Sequence, residues 1–214
     1  MNTDLPVIVL GAGGHAQVLI DTLLLNSCNI IGIVDNDESK TGSTILGIPV
    51  IGNDEIIYDY SIHKVQLVNG LGSVLSTKAR ANLFEKFSEQ GYQFINIIHP
   101  SAIIAKNVRI ESGIQIMAGV VVQTGSCIGA NSIINTKASI DHNCMIGANV
   151  HIAPGVTLSG GVQVSNNVHI GTGATVIQGI KIGQGSIIAA GAVVIADVPS
   201  GVTIVGVPGK AVKQ

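Results

Sequence analysis

From Ile104 onward every sixth residue is aliphatic. The run passes through Ile110, Ile116 and Val122 and continues without a break to Ile182, Ile188 and Val194. A helix repeats near 3.6 residues and a flat strand repeats at 2, so neither alone produces a strict six. A hexapeptide period is the mark of a parallel β-helix, a triangular prism with one hexad per face, and the left hand follows from that class. One coil then spans about 18 residues, and any two residues can be placed around the prism by subtraction.

The other hexad positions share this phase. Four residues after each aliphatic position the side chain is small or apolar, from Val108 and Ile114 to Ser186 and Ala192, which suits the narrow space beside a corner. Three residues after it the chain reads Asn or Gly from Asn107 to Gly191, with Lys137 as the one exception. Gly and Asn adopt positive φ at low cost, so this slot is expected to form the corner. Solenoids stack coil on coil and need their ends covered. Pro199 is expected to stop the coil, with Val205-Gly206-Val207-Pro208-Gly209-Lys210 as a cap.

The first hundred residues change period. Val7-Ile8-Val9-Leu10 runs into Gly11-Ala12-Gly13-Gly14-His15-Ala16. A helix pattern follows, with Val18, Leu19, Ile20, Leu23, Leu24 and Leu25, and then a second apolar run ends in Asp35-Asn36-Asp37. Strand, glycine turn, helix, strand and acid make the opening of a Rossmann-like unit, and Gly11, Gly13 and Ala16 match G-x-G-x-x-A. Such glycines let a phosphate approach the unpaired N–H groups of the helix N-terminus. Further strands are expected at 49–51, 65–68 and 93–98, a second glycine turn at Asn69-Gly70-Leu71-Gly72-Ser73, and a helix over 78–90. The fold class is therefore α/β plus all-β. Residues 1–99 form a Rossmann-like nucleotide-sugar-binding domain, and residues 100–214 form a left-handed β-helix with a C-terminal cap. So short a first domain holds one mononucleotide half, which favours a nucleotide or nucleotide sugar over NAD(P) with Asp35 on its ribose.

Composition narrows the partners. The 214 residues are 46% hydrophobic, contain no Trp and carry a net charge of −2, which argues for neither nucleic acid nor an anionic membrane. Cys28, Cys127 and Cys144 are an odd number without paired spacing, so no metal site is expected. Cys144 falls in the interior slot and Cys127 faces outward. No basic leader precedes an apolar segment, and no apolar run approaches about 18 residues, so a cytoplasmic protein without membrane insertion is expected.

Subtraction also places the histidines. His142 lies two residues after Ile140, pointing outward just before a corner, and the same slot one coil later is Gly160. A residue without a side chain above an outward His leaves a notch where a ligand can pass the wall. His151 and His169 are 18 apart and stack on adjacent coils, whereas His142 and His151 are half a coil apart and face different ways. Two prisms side by side, as in a trimer with parallel axes, would bring them together. An outward His on a solenoid is otherwise a solvated side chain, and that reading stands beside the functional one for His142 and ahead of it for His169 and His63.

These motifs together resemble the bacterial sugar O-acyltransferases. That group includes the UDP-4-amino-sugar N-acetyltransferases of the bacillosamine pathway, GDP-perosamine N-acetyltransferase and sialic acid O-acetyltransferases. The resemblance implies a homotrimer that binds acetyl-CoA between adjacent prisms, with the nucleotide-amino sugar on the N-terminal domain. It implies His142 as general base, with Gly13, Gly14, His15, Asp35, Asn36 and Gly72 around the sugar nucleotide. It places His151, Gly160, Thr172, Ala190 and Lys210 along the acetyl-CoA groove. The family often has an acid directly after the catalytic His. Here Asn143 stands there, able to orient the ring but not to stabilise its cation by charge. Asn143 also fills the corner slot, so backbone and catalytic roles both remain open, and Asp141 is a second source of charge.

The expected reaction is acetyl transfer from acetyl-CoA to the 4-amino group of a nucleotide-linked 4-amino-4,6-dideoxyhexose, a UDP sugar in the first instance. His142 would take the proton, and a backbone N–H near Gly160 or the His151 ring would meet the oxyanion. Two other readings stand beside it: O-acetylation of a sialic acid-type sugar, and a non-catalytic nucleotide-sugar-binding trimer.

Overall fold

A computed structural model describes residues 5–73 and 76–212. Strand β1 (Val7–Leu10) leads to helix α1 (Gly14–Leu25), β2 (Ile30–Val34), a hairpin of β3 (Thr44–Ile45) and β4 (Ile48–Gly52), β5 (Gln66–Asn69) and helix α2 (Lys78–Glu89). The sheet order is β3-β4-β2-β1-β5, parallel except for the hairpin, which the apolar pattern does not foretell. All four residues of β1 are buried because both faces of the sheet are covered. Ala16, Leu19, Ile20 and Leu23 of α1 pack on one face and Phe87 from α2 on the other. Val18, Leu24 and Leu25 instead look outward, 47%, 43% and 57% exposed. Met117, from the prism, joins the α1 cluster, so α1 is wedged between the sheet and the β-helix.

The prism is a left-handed β-helix whose strands pair 18 residues apart. On the first, docked face Gln115–Ile116 pairs with Ile133–Ile134, then His151–Ile152, His169–Ile170 and Ile187–Ile188. The second face runs through Val121–Val122, Ser139–Ile140 and Thr157–Leu158. The third runs through Arg109–Ile110, Cys127–Ile128 and Met145–Ile146. The hexad aliphatics and their interior partners are buried together in one continuous core. Ser126, Ser132 and Cys144 occupy that interior because each reaches a carbonyl of the next coil: Asp141 at 2.9 Å, Gly147 at 2.9 Å and Ser159 at 3.3 Å.

The corner slot is left-handed from Gly113 onward, with φ of 56° at Asn131 and Asn149 and 58° at Asn143. Lys137 is held there too, at 58°, although a lysine has no intrinsic liking for that region. Corner N–H groups bond a carbonyl one coil below, as Asn143 does to Thr124 at 3.0 Å. Asn107 departs from the expectation and does not adopt positive φ.

Two further expectations need correction. The strand expected at 93–98 divides: Phe94 bridges Leu67 in the α/β sheet, while Ile97–Ile98 is already the first rung of the docked face. Pro199 does not stop the coil. Val198 bridges Ile182, and Thr203–Val205 still pairs with Ile187–Ile188, in a last turn two residues shorter than the rest. Lys210–Val212 then folds back antiparallel and covers the end.

Candidate active site

His142 follows the strand Ser139–Ile140 at an exposed corner between the second and third faces. Its backbone N–H is taken by the Asp141 carboxylate at 2.7 Å. Its ring is held by the Asn143 amide, 3.1 Å from Nδ1. Asp141 thus orders the backbone, while Asn143, itself locked at the corner, orients the imidazole. The amide can present either its NH2 or its carbonyl to Nδ1. With the NH2 on Nδ1, as the 3.1 Å contact has it, the neutral ring carries its proton on Nε2; with the amide turned over, Nδ1 keeps the proton and Nε2 is left as a free base. The ring lies over Gly160: a Cβ built there would fall 2.5 Å from both Cε1 and Nε2. The Gly160 N–H has no backbone partner among the described residues.

His151 sits in the opposite kind of environment. It is 6% exposed on the docked face beneath the second glycine turn. Ser73 Oγ meets its Nδ1, and the Asn135 amide meets its Nε2 at 3.2 Å. His169 stacks edge-on, with ring centroids 5.1 Å apart. Burial, then the nearby His169, His15 and Arg80, push the His151 pKa down to about 3, and burial lowers that of His169. Both nitrogens of His151 are therefore occupied in a neutral ring. Thr172 and Ala190 are exposed one coil apart, on the corner that follows the docked face, and Lys210 is exposed on the terminal strand.

The glycine loop opens at the N-terminus of α1. Gly13 is the N-cap, without a side-chain hydrogen bond, and the space beside Gly13 and Gly14 is empty where side chains would stand. The first-turn N–H groups are thus free to meet an anion. The Asp35 carboxylate closes one side of this loop, accepting from Ala12 N at 2.6 Å, Asp37 N at 2.9 Å and Lys40 Nζ at 2.9 Å. Burial alone would raise its pKa, but these three donors outweigh it and the net shift is downward. Asn36 is tied to Asp54 at 3.0 Å. The second glycine turn closes the other side, with Gly72 so near that a Cβ would sit 3.2 Å from His15 Cβ.

Beneath both loops lies a buried polar cluster. His15 Nε2 is 2.7 Å from Gln115 Oε1, and Gln115 Nε2 donates to Asn69 O at 2.6 Å. Arg80, 1% exposed, donates to the carbonyls of Asn69, Leu71 and Asn131 at 2.8, 2.7 and 3.1 Å. Its Nη2 has no hydrogen-bond partner among the described residues. Burial brings the Arg80 pKa down to about 9. Burial also brings His15 to about 4, with Arg80 adding to the fall and the Gln115 hydrogen bond opposing it.

Gly13, Gly14, His15, Asp35, Asn36 and Gly72 thus gather at one end of the α/β domain, with His151 next to them through Ser73. His142, Asn143 and Gly160 occupy one prism corner, and Thr172 and Ala190 another. A single chain does not unite the three groups. Two clefts of about 530 and 620 Å³ flank α2 and contain none of these residues. Sequence reasoning missed Ser73, Arg80, Gln115 and Asn135. A signal existed for the docked face, whose outward slots read Ile97, Gln115, Ile133, His151, His169 and Ile187, whereas the third face reads Arg109, Cys127, Met145, Gln163 and Lys181. Half of the docked stack is aliphatic and none of it is charged, whereas the third face carries Arg109 and Lys181. Among the described residues no group of His, Cys, Asp or Glu could hold a metal, and no helix is long and apolar enough to cross a membrane.

The chain matches the PglD N-terminal domain over residues 6–87 and the hexapeptide repeat of succinyl-transferase over 137–176 and 166–196. No curated protein matches it. Among solved structures it is similar to an asparagine-for-histidine variant of perosamine N-acetyltransferase from Caulobacter crescentus, in complex with CoA and GDP-perosamine. The identity is 36%, the TM-score 0.89, and 98% of this chain and 97% of that one are covered. It is also similar to the acetyltransferase domain of PglB from Neisseria gonorrhoeae in complex with acetyl coenzyme A, at 34% identity and TM-score 0.89, over 97% and 98% of the two chains. WeeI from Acinetobacter baumannii superposes at TM-score 0.86 with 25% identity, over 97% and 100%.

Proposed function

The chain belongs to the family of hexapeptide-repeat acetyltransferases that carry a PglD N-terminal domain, and from that premise we propose that it transfers the acetyl group of acetyl-CoA to the 4-amino group of a nucleotide-linked 4-amino-4,6-dideoxyhexose. A UDP sugar is the first substrate to test. The observation that carries the reading is the His142 ring, held at Nδ1 by Asn143 and lying over the bare Gly160, on a wall that ligands can reach. Acetyl-CoA and a nucleotide-amino sugar are the co-substrates, bound respectively along Gly160, Thr172, Ala190 and Lys210 and around Gly13, Gly14, His15, Asp35, Asn36 and Gly72.

The chemistry needs no covalent intermediate. The amine attacks the thioester carbonyl, and His142 Nε2 takes its proton, a role worth about 10²–10⁴-fold. The Gly160 N–H, without a backbone partner among the described residues, is the donor for the oxyanion. The two ring nitrogens of His151 are already engaged, so its contribution to the groove is shape and backbone rather than a ring N–H. Because the sugar-nucleotide loops and His142 lie on different walls, the complete site takes His142 from a second subunit, and a trimer with parallel prisms supplies it.

The test is thiol release from acetyl-CoA against a panel of nucleotide-linked amino sugars and of sugars that offer only hydroxyls. Turnover confined to the amino sugars supports the proposal. Turnover of a sialic acid-type hydroxyl instead would favour O-acetylation, and binding of nucleotide sugar without thiol release would favour the binding protein.

A further inference from the structure

The Gln115 side chain is wholly buried, bridges the two domains and has a partner at each end. One partner decides its orientation. Asn69 O is a backbone carbonyl and can only accept, so the amide nitrogen of Gln115 must face it. The amide oxygen must then face His15, and an oxygen there requires the proton on His15 Nε2. Flipping the amide would set its oxygen against the Asn69 carbonyl at 2.6 Å, two acceptors in contact with no hydrogen between them. Nor is the carbonyl free to shift, since Arg80 Nη1 holds the same Asn69 O at 2.8 Å. With the ring neutral, Nδ1 carries a lone pair. That atom has no hydrogen-bond partner among the described residues, on a half-buried ring that packs against Gly72 of the second glycine turn.

We propose that Gln115 is a positioning residue that fixes His15 as the Nε2–H tautomer and so presents His15 Nδ1 as an acceptor for a hydroxyl of the bound sugar nucleotide. The identity of that ligand rests on the function proposed above; the tautomer does not. Nδ1 in this state repels a phosphate oxygen, so the diphosphate goes to the free N–H groups of Gly14 and the first turn of α1, and His15 reads a neighbouring hydroxyl. The same amide ties both loops to the prism, so the sugar is indexed to the coils that carry the acetyl donor. In sequence Gln115 is one outward residue among many, and only the double contact reveals its role.

Imidazole ¹⁵N spectra of histidine-labelled protein test the tautomer directly, with His15→Asn identifying the signal. The expected ring has Nε2 protonated and Nδ1 bare at pH 7. Observing Nδ1–H in the unmodified protein overturns the inference whatever the variants do. Gln115→Leu should raise KM for the sugar nucleotide by about tenfold with KM for acetyl-CoA unchanged; an unchanged sugar-nucleotide KM would remove the role. Gln115→Glu gives the charged ring a partner and turns Nδ1 into a donor. It should bind the sugar nucleotide more weakly than the parent in calorimetry, and tighter binding would mean that a phosphate sits at His15. If the panel shows no turnover, the proposed activity fails while spectra and calorimetry still decide this inference. Turnover together with Nδ1–H would overturn the inference alone.

Discussion

Two stretches of one prism, nine residues apart, treat a histidine in opposite ways. On the docked face His151 is covered by the α/β domain, neutral, and bonded at both nitrogens. At the corner half a coil away His142 is exposed, its ring bonded among the described residues at Nδ1 alone, and faces a glycine where its neighbour in the stack would have a side chain. The hexad rule is the same in both places. What differs is whether something docks on the wall. A covered wall turns polar side chains into struts, because a buried polar group must be satisfied; a bare wall leaves a ring nitrogen for chemistry.

The contrast can be broken most severely at His142. His142→Ala should cut kcat by about 10²–10⁴-fold while leaving the melting temperature and acetyl-CoA affinity in calorimetry unchanged, since the ring holds up nothing else. Loss of folding would erase the distinction. Next comes the notch itself: the Cβ of Gly160→Ala overlaps the ring, and displacing a base by about an ångström costs about 10²-fold, read in single-turnover rates.

Acid should expose the other side of the comparison. His15 and His151 have folded pKa values of about 4 and about 3, below the ordinary 6.5. The unfolded chain therefore binds more protons across that interval, so stability rises with pH within it. Their contribution is present above about pH 6.5 and is lost as the pH falls toward 3–4. Urea midpoints should decline from pH 7.5 to pH 5, and less steeply in His151→Asn. Equal slopes would show that the docked face does not hold its histidines neutral. The smallest effect belongs to Lys137. Lys137→Asn should stabilise by about 0.5–1 kcal/mol in urea unfolding, by giving the left-handed corner a residue that accepts it.

The prism was legible because its signal repeats: the aliphatic step, the interior slot and the corner slot each recur in one phase, and the tertiary contacts are the repeat itself. His142 over Gly160 and His151 against His169 follow from subtraction alone. Single events were harder to read. Asn107 has the corner residue but not the corner conformation, and the terminal turn is two residues short, which no period announces. The division of 93–98 between two sheets depends on where the α/β domain rests. Gln115, Ser73 and Arg80 were missed for a related reason: each looks like a solvated side chain until its partner, distant in sequence, is placed against it.

The coil is also a ruler. Each turn of chain raises the wall by one strand spacing, about 4.8 Å, so Ala190 stands roughly 13 Å farther along the axis than His142. A rigid scaffold of this kind measures out the reach of a long flexible donor in fixed increments. Lengthening the prism by one coil between Gly160 and Thr172 would leave every rung paired and every corner in phase, yet would set the proposed grip on the donor one increment too far from the proposed base. Such an insertion would change a length while preserving the architecture.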